Sequence, residues 1–385
     1  GLIVVISRRG PVFADNSKYF FVHATQSLSK GERVVFLTGH RSIQAKIAAA
    51  GGDSVRHPSW QSLYLLLRCN SLVTDMAEWF DFGTYQLTRG ARIVQIWHGA
   101  PLKHIELDVF REHLASLPVL LRPVLRFQKT VLGRYPEYDV VVATSQQFIE
   151  QAFKRCFKAR HFIASGYPRN DILFSGLESD SPSYQLARIN VDEQALKAAR
   201  IAQSRGQNII LYAPTFRKDM ADPFEQHINL QRLSAFACQH DLLLVLKLHP
   251  VMQGRHHIDQ YPNLLEYGSL SDVYPFMPMC DLLVTDYSSI FFDFLLLDKP
   301  IIFFAYDLEH YLRQDRAMYL SYENIIPGAL CRNQNELELH LESIKANGGE
   351  DVYSDRRAEI RVFTHNYVDN KAADRLLNWL KISKL

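Results

Sequence analysis

Cysteine is scarce in this chain of 385 residues, and its placement excludes two roles. The five, Cys69, Cys156, Cys238, Cys280 and Cys331, are odd in number, widely spaced and free of CxxC pairs. That pattern argues against a metal knuckle and a disulfide framework, and for reduced thiols in a cytosolic setting. No apolar run approaches the roughly 18 to 20 residues needed to span a bilayer. The opening GLIVVISRRG runs for only about five apolar residues before its arginines, so it reads as a buried strand. The absence of an initial Met suggests a trimmed start. An excess of one charge is missing too: 43 Lys and Arg face 41 Asp and Glu, so no blanket basic surface is available and nucleic acid is not expected as a partner.

Several signatures are also absent. Without GxGxxG or GxxxxGK[ST], a dinucleotide oxidoreductase and a P-loop kinase are disfavoured. Without GxSxG there is no nucleophile elbow. HExxH and DxD patterns are missing, and the adjacent His256 and His257 cannot face one ion from a helix or a strand, so no metal site is expected. No internal repeat or low-complexity tract is present.

What is present is a rhythm. Short Val/Ile/Leu runs occur at 2–7, 33–39, 71–75, 92–99, 138–145 and 161–166, separated by amphipathic stretches. Runs of this length read as parallel strands covered on both faces. A polar interval, SGLESDSPSYQ (175–185), breaks the rhythm, and it resumes at 208–216, 242–250, 281–289 and 300–307. The expectation is therefore an α/β chain of two Rossmann-like, doubly wound domains, 1–175 and 186–353. A helical segment, 354–385, would pack back on the first domain. In open parallel sheets ligands bind beyond the C-terminal strand ends. Two such edges facing across a cleft would gather the polar residues that follow each run, an architecture known as GT-B.

The stretch DLLVTDYSSIFFD (281–293) reads as strand, tight turn and helix start. Unpaired N–H groups at a serine-bearing helix start suit a phosphate, although Ser288 or Ser289 alone could be a simple cap. Asp286 and Asp293 repel phosphates, so they suit sugar or polyol hydroxyls, or bracing of the turn. His98 ends a strand and is followed by Gly99, which permits close backbone approach; its pKa range suits proton transfer near neutrality. A histidine that merely bonds its turn is the commoner case, but the strand-end position favours the chemical role. His249 stands at the equivalent place in the second half, held extended by Pro250, with Lys247 two positions earlier on the same side of a regular strand. Lys103, Arg169 and Arg217 are candidate phosphate clamps. The interval 111–134 interleaves Leu, Val and Phe127 with Arg111, Arg122, Arg126, Lys129 and Arg134. It suits an anionic membrane interface, or else a helical pair packing its apolar side on the first domain, since Pro118 and Pro123 interrupt it.

With these motifs in hand, the chain resembles the CDP-glycerol glycerophosphotransferase family, which comprises teichoic acid primases and polymerases and their capsule-synthesis relatives. The resemblance rests on NSKYFF (16–21), QIWHGAPLKHIELD (95–108), VVATS (141–145), GYPRNDIL (166–173), LYAPTFR (211–217), LKLHP (246–250), the stretch 282–311 and YENIIPG (322–328). It implies a GT-B fold and transfer of glycerol phosphate, or a similar polyol phosphate, from CDP-glycerol or CDP-ribitol to a hydroxyl of a lipid-linked saccharide or polymer. CMP would be released, and the work would be done peripherally at the cytoplasmic face of the membrane. It implies His98 as the base, His249 as the group that assists the departing phosphate, and Thr285, Asp286, Ser288 and Ser289 as the donor site. Arg217 joins them there, with Gly99, Lys103, Arg169, Lys247 and Asp293 in support. No tightly bound cofactor is implied. Because the chain is little longer than the transferase unit, single addition or a compact capsule or O-antigen enzyme is expected over a long polymerase. The rivals are a GT-B nucleotide-sugar glycosyltransferase and a catalytically silent nucleotide- or lipid-binding module.

Overall fold

A computed structural model describes residues 1–7, 12–79, 84–131, 136–177, 184–217, 226–314 and 317–382. The chain forms two compact units, Gly1–Asn190 with Thr364–Leu385, and Val191–Phe363.

The first unit is built on seven strands: β1 (Leu2–Ile6), β2 (Arg33–Thr38), β3 (Ser54–Arg56), β4 (Ser71–Thr74), β5 (Arg92–Gln95), β6 (Glu137–Val142) and β7 (Lys158–Ile163). Their spatial order is β3-β2-β1-β4-β5-β6-β7, with every pairing parallel. Val4, Val5, Leu72, Val73 and Val141 lose all solvent exposure, as expected of strands covered by helices on both faces. On one face Ile3, Val5, Phe36 and Val73 pack with Phe20 and Phe21 of helix Asp15–Ser27 and with Leu376, Leu377 and Leu380 of the last helix, Ala372–Ile382.

The second unit has β8 (Asn208–Ala213), β9 (Leu242–Leu246), β10 (Leu264–Glu266), β11 (Leu282–Thr285), β12 (Ile301–Phe304) and β13 (Ala329–Cys331), in the order β10-β9-β8-β11-β12-β13 and again all parallel. Gly328 is required just before β13, because a Cβ there would run into the Ile301 carbonyl. Each sheet is doubly wound, reversing direction between β1 and β4 in one unit and between β8 and β11 in the other. All ten apolar runs of the sequence are strands. The three that escaped notice, β3, β10 and β13, are three-residue edge strands.

The unit boundaries differ from the sequence expectation. The first unit continues past 185, because Leu186 and Ile189 are buried in its core. Residues 178–183 of the polar interval lie outside the described residues. The return also comes later than 354. Helix Ser354–Thr364 belongs mostly to the second unit, where Arg357 pairs with Asp351 and Arg361 lies 3.0 Å from Asp298.

The basic interval folds as helix Glu106–Ser116, a 3-10 turn Val119–Leu121 and helix Arg122–Val131. Leu114 is buried, but the rest of its apolar side is largely left out: Val119, Leu120, Leu121, Val124 and Phe127 are exposed. Arg122 bends back to the carbonyls of Leu117 and Ala115 at 3.1 and 3.0 Å. Arg134 and the Lys129 side chain lie outside the described residues. Among the described residues no helix is long and apolar enough to cross a membrane.

Candidate active site

In the first unit the loop after β5 carries His98, and its backbone is pinned from three directions. Asn16, from helix Asp15–Ser27, donates to the carbonyls of Ile96 and Trp97 at 3.2 and 2.8 Å. Arg169 donates to the His98 carbonyl at 2.8 Å and to Asp15 at 2.7 Å, with its guanidinium almost fully buried. The Tyr167 hydroxyl donates to the Gly99 carbonyl at 3.1 Å. Trp97 is held at φ 43°, a left-handed conformation that costs a bulky residue energy and needs such support.

The imidazole is oriented as well. His98 Nδ1 lies 2.9 Å from the carbonyl oxygen of Asp75, which only accepts, so Nδ1 carries the proton. In the neutral ring the lone pair is then on Nε2, the nitrogen that would take a proton from a substrate. The half-buried ring lies against Trp97, centroids 4.1 Å apart. The Asp75 carboxylate accepts from Ser17 N at 3.0 Å and from the Ser7 hydroxyl at 3.1 Å. A carboxylate therefore already sits at the positive end of helix Asp15–Ser27. Lys103 is half-buried in the turn that follows.

In the second unit the turns after β8 and β11, adjacent strands at the point of reversal, are tied together. Asp286 accepts from Thr215 N at 2.9 and 3.0 Å and from Tyr287 N at 2.6 Å. Thr285 donates to the Ala213 carbonyl at 2.7 Å, and Tyr322 to that of Asp286 at 3.1 Å. Arg217 forks between Asp286 and Asp307, reaching Asp307 at 2.9 and 3.0 Å. Around it stand the rings of Tyr287, Tyr306 and Tyr311, 5.0, 5.2 and 5.6 Å from its guanidinium carbon. Tyr287 also donates to Asp307 at 2.9 Å. Burial opposes ionisation of Asp307, but the Arg217 hydrogen bonds and charge outweigh it and hold the carboxyl below its usual range.

This placement revises the reading of Arg217 as a phosphate clamp. One buried guanidinium faces two carboxylates, so its charge is matched within the protein and it braces the turn. Asp286 likewise braces, and Asp293 is fully buried, accepting from Tyr274 at 2.7 Å. Ser288 and Ser289 are the half-buried members of the motif, at the start of helix Ile290–Phe294.

Beyond β9, Lys247 and His249 differ. Lys247 donates to the carbonyls of Gly268, at 3.1 Å, and Ser269, and burial lowers its pKa to about 8. His249 is exposed, with its ring stacked on Phe216 at 4.4 Å and its Nδ1 accepting from Val251 N at 3.3 Å. That bond leaves the proton of the neutral ring on Nε2. Partial burial and then Lys247 lower its pKa, which favours that neutral donor. Among the described residues no group of three or more His, Cys, Asp or Glu is placed to hold a metal ion.

Sequence reasoning missed Asp75, Asn16, Tyr167, Phe216 and Tyr287 as partners. Asn16, Tyr167, Phe216 and Tyr287 stand inside quoted motifs, so a signal existed for these four, whereas Asp75 was marked only as the end of the run 71–75.

Comparison with known proteins covers almost the whole chain. Residues 1–381 match the family model described as CDP-Glycerol:Poly(glycerophosphate) glycerophosphotransferase. A teichoic acid poly(glycerol phosphate) polymerase of Bacillus spizizenii is 28% identical over 257 residues, 65% of this chain and 60% of the polymerase. The match thus spans less than two thirds of that protein. A teichoic acid glycerol-phosphate primase of Bacillus subtilis is 27% identical over 327 residues, 83% of this chain and 76% of the primase. The wall teichoic acid polymerase TagF has a similar fold, with TM-score 0.75 and 21% identity, over 99% of this chain and 88% of that one.

Proposed function

Because the chain belongs to the CDP-glycerol:poly(glycerophosphate) glycerophosphotransferase family, we propose that it transfers a polyol phosphate, glycerol phosphate foremost, from a CDP-activated donor to a hydroxyl of a membrane-bound saccharide or polymer, releasing CMP. The observation that carries the chemistry is the hydrogen bond from His98 Nδ1 to the Asp75 carbonyl, which puts the basic lone pair on Nε2. His98 Nε2 takes the acceptor hydroxyl proton as that oxygen attacks the phosphorus bearing the polyol. The bond from this phosphorus to the CMP oxygen breaks, and the charge that develops on CMP is met by the Nε2–H of His249. Ser288 and Ser289 bind the donor's phosphates. Arg217, with Asp286 and Asp307, keeps their turn in shape, and Arg169 with Gly99 does the same for the His98 loop. Lys103 and Lys247 add positive charge nearby in sequence, and Thr285 and Asp293 anchor the donor turn.

The same reading places the protein peripherally on the cytoplasmic face of the membrane. Its support is the exposed apolar row from Val119 to Phe127, interleaved with Arg122 and Arg126.

The test is CMP release by the purified protein from CDP-glycerol and CDP-ribitol, with and without a lipid-linked disaccharide. Acceptor-dependent CMP is expected, and the productive donor names the polyol. No CMP from either donor, together with release of a nucleoside diphosphate from a nucleotide sugar, would sink the reading in favour of glycosyl transfer.

A further inference from the structure

Helix Trp60–Arg68 starts with a reciprocal cap between Ser59 and Ser62 and buries Ser62, Leu65 and Leu66. A helix that only covers a sheet has a polar outer face. Here the outer face carries Trp60, Tyr64 and Leu67, exposed by 88%, 59% and 64%. At about 100° per residue these three fall within about 60° of one another, on the side opposite the buried row. From Ser54 to Arg68 there is no acidic residue, while Arg56 and Arg68 are basic. The Arg68 guanidinium lies over the Tyr64 ring, 5.5 Å from its centroid.

Topology adds a second observation. The crossovers β1 to β2 and β2 to β3 run one way along the sheet, whereas β3 to β4 and β5 to β6 run the other. Right-handed crossovers then put the helices of the second pair on the same face of the sheet. Helix Trp60–Arg68 lies in the β3–β4 crossover, and the Val119–Phe127 row lies in the β5–β6 crossover. Two exposed segments that are apolar, basic-flanked and poor in acid therefore belong to one side of the first unit. Trp and Tyr with a neighbouring arginine are the side chains that settle at the headgroup level of a bilayer, one end apolar and the other wet.

We propose that the Trp60, Tyr64 and Leu67 face is a second membrane-contacting element, lying in the interface of an anionic bilayer together with the Val119–Phe127 row. This rests on the membrane reading above and deepens it. Two separated contacts fix the orientation of the unit on the surface, where a single segment leaves it free to roll. Charge complementarity between Arg56, Arg68, Arg122 and Arg126 and anionic headgroups selects the lipid.

The chain supplies its own reporter. Of its tryptophans, Trp79 and Trp97 are buried and Trp379 is partly buried, which leaves Trp60 as the strongly exposed one. The full chain is mixed with vesicles of phosphatidylcholine containing phosphatidylglycerol, and sedimentation and tryptophan emission are followed together. The expected result is sedimentation with a blue shift, quenched by brominated lipid and abolished in Trp60→Phe. A Tyr64→Glu, Leu67→Glu double variant should weaken vesicle binding by about tenfold or more. If the protein sediments but the Trp60 emission does not move, this inference fails while the Val119–Phe127 contact stands. If it does not sediment at all, both fail. A concentration-dependent blue shift without lipid would assign the face to self-association instead.

Discussion

The imidazole of His98 hangs by its Nδ1 on the main-chain carbonyl of Asp75, at 2.9 Å, and this bond decides which ring nitrogen can act. The carboxylate of the same Asp75 accepts the backbone N–H of Ser17, so the bond is anchored to helix Asp15–Ser27. One residue thus links the orientation of the ring to the packing of the sheet.

If Nε2 of His98 is a base, an amide cannot replace it. His98→Ala and His98→Gln are both expected to lower kcat by about a hundredfold or more, with far-UV circular dichroism unchanged. A His98→Gln enzyme that keeps most of its turnover would show that position 98 only donates or packs.

His249 has the opposite hydrogen-bond polarity, since its Nδ1 accepts from Val251 and its Nε2–H is the donor. A glutamine amide nitrogen can stand near that donor. His249→Ala is expected to lose about a hundredfold in CMP release, and His249→Gln to recover roughly tenfold of that loss. Equal rates for the two variants would remove the donor role.

The two histidines were legible because each follows an apolar run, and strand ends are where open sheets bind ligands. Their partners were not. Asp75 contributes to His98 through a backbone carbonyl, which any residue has, so its side chain left no sign. Arg217 looked like a free loop arginine because the carboxylates and tyrosines that enclose it come from Asp286 to Tyr311, far along the chain. Among the strands, β3 (SVR) and β13 (ALC) are too short to make an apolar run and are recruited by their neighbours. The boundary after Asn190 was hidden for a similar reason. Leu186 and Ile189 join the first core only through tertiary packing.

The exposed row at Val119–Phe127 has no structural reason to be apolar, so replacing it should cost little stability. Leu120→Glu with Phe127→Glu is expected to reduce sedimentation with anionic vesicles by about tenfold or more, with an unchanged melting temperature. Raised salt should weaken the wild-type interaction in the same assay. Binding to vesicles that survives both changes would place the membrane contact elsewhere.

Arg217 is the residue whose loss the fold should feel most. Its guanidinium, 5% exposed, pairs with both Asp286 and Asp307, which are themselves 1% and 3% exposed, and offsets one of their two charges. Arg217→Met keeps much of the bulk and strands two buried carboxylates, which is expected to cost about 3–5 kcal/mol at neutral pH in urea unfolding. The pH dependence gives the cause. In the wild type the folded pKa of Asp307 is depressed, so its contribution is fully present above the ordinary carboxylate value and is lost as pH falls through the folded one. In the variant the cation is gone and burial dominates at Asp307, so its folded pKa rises above the unfolded one. Protonation then relieves the variant, and its stability should increase as pH falls from about 7 to about 5, where the wild type changes little. The gap between the two proteins narrows over that window. A gap of the same size at both pH values would mean that packing among Tyr287, Tyr306 and Tyr311, and not the matching of charge, is what Arg217 supplies.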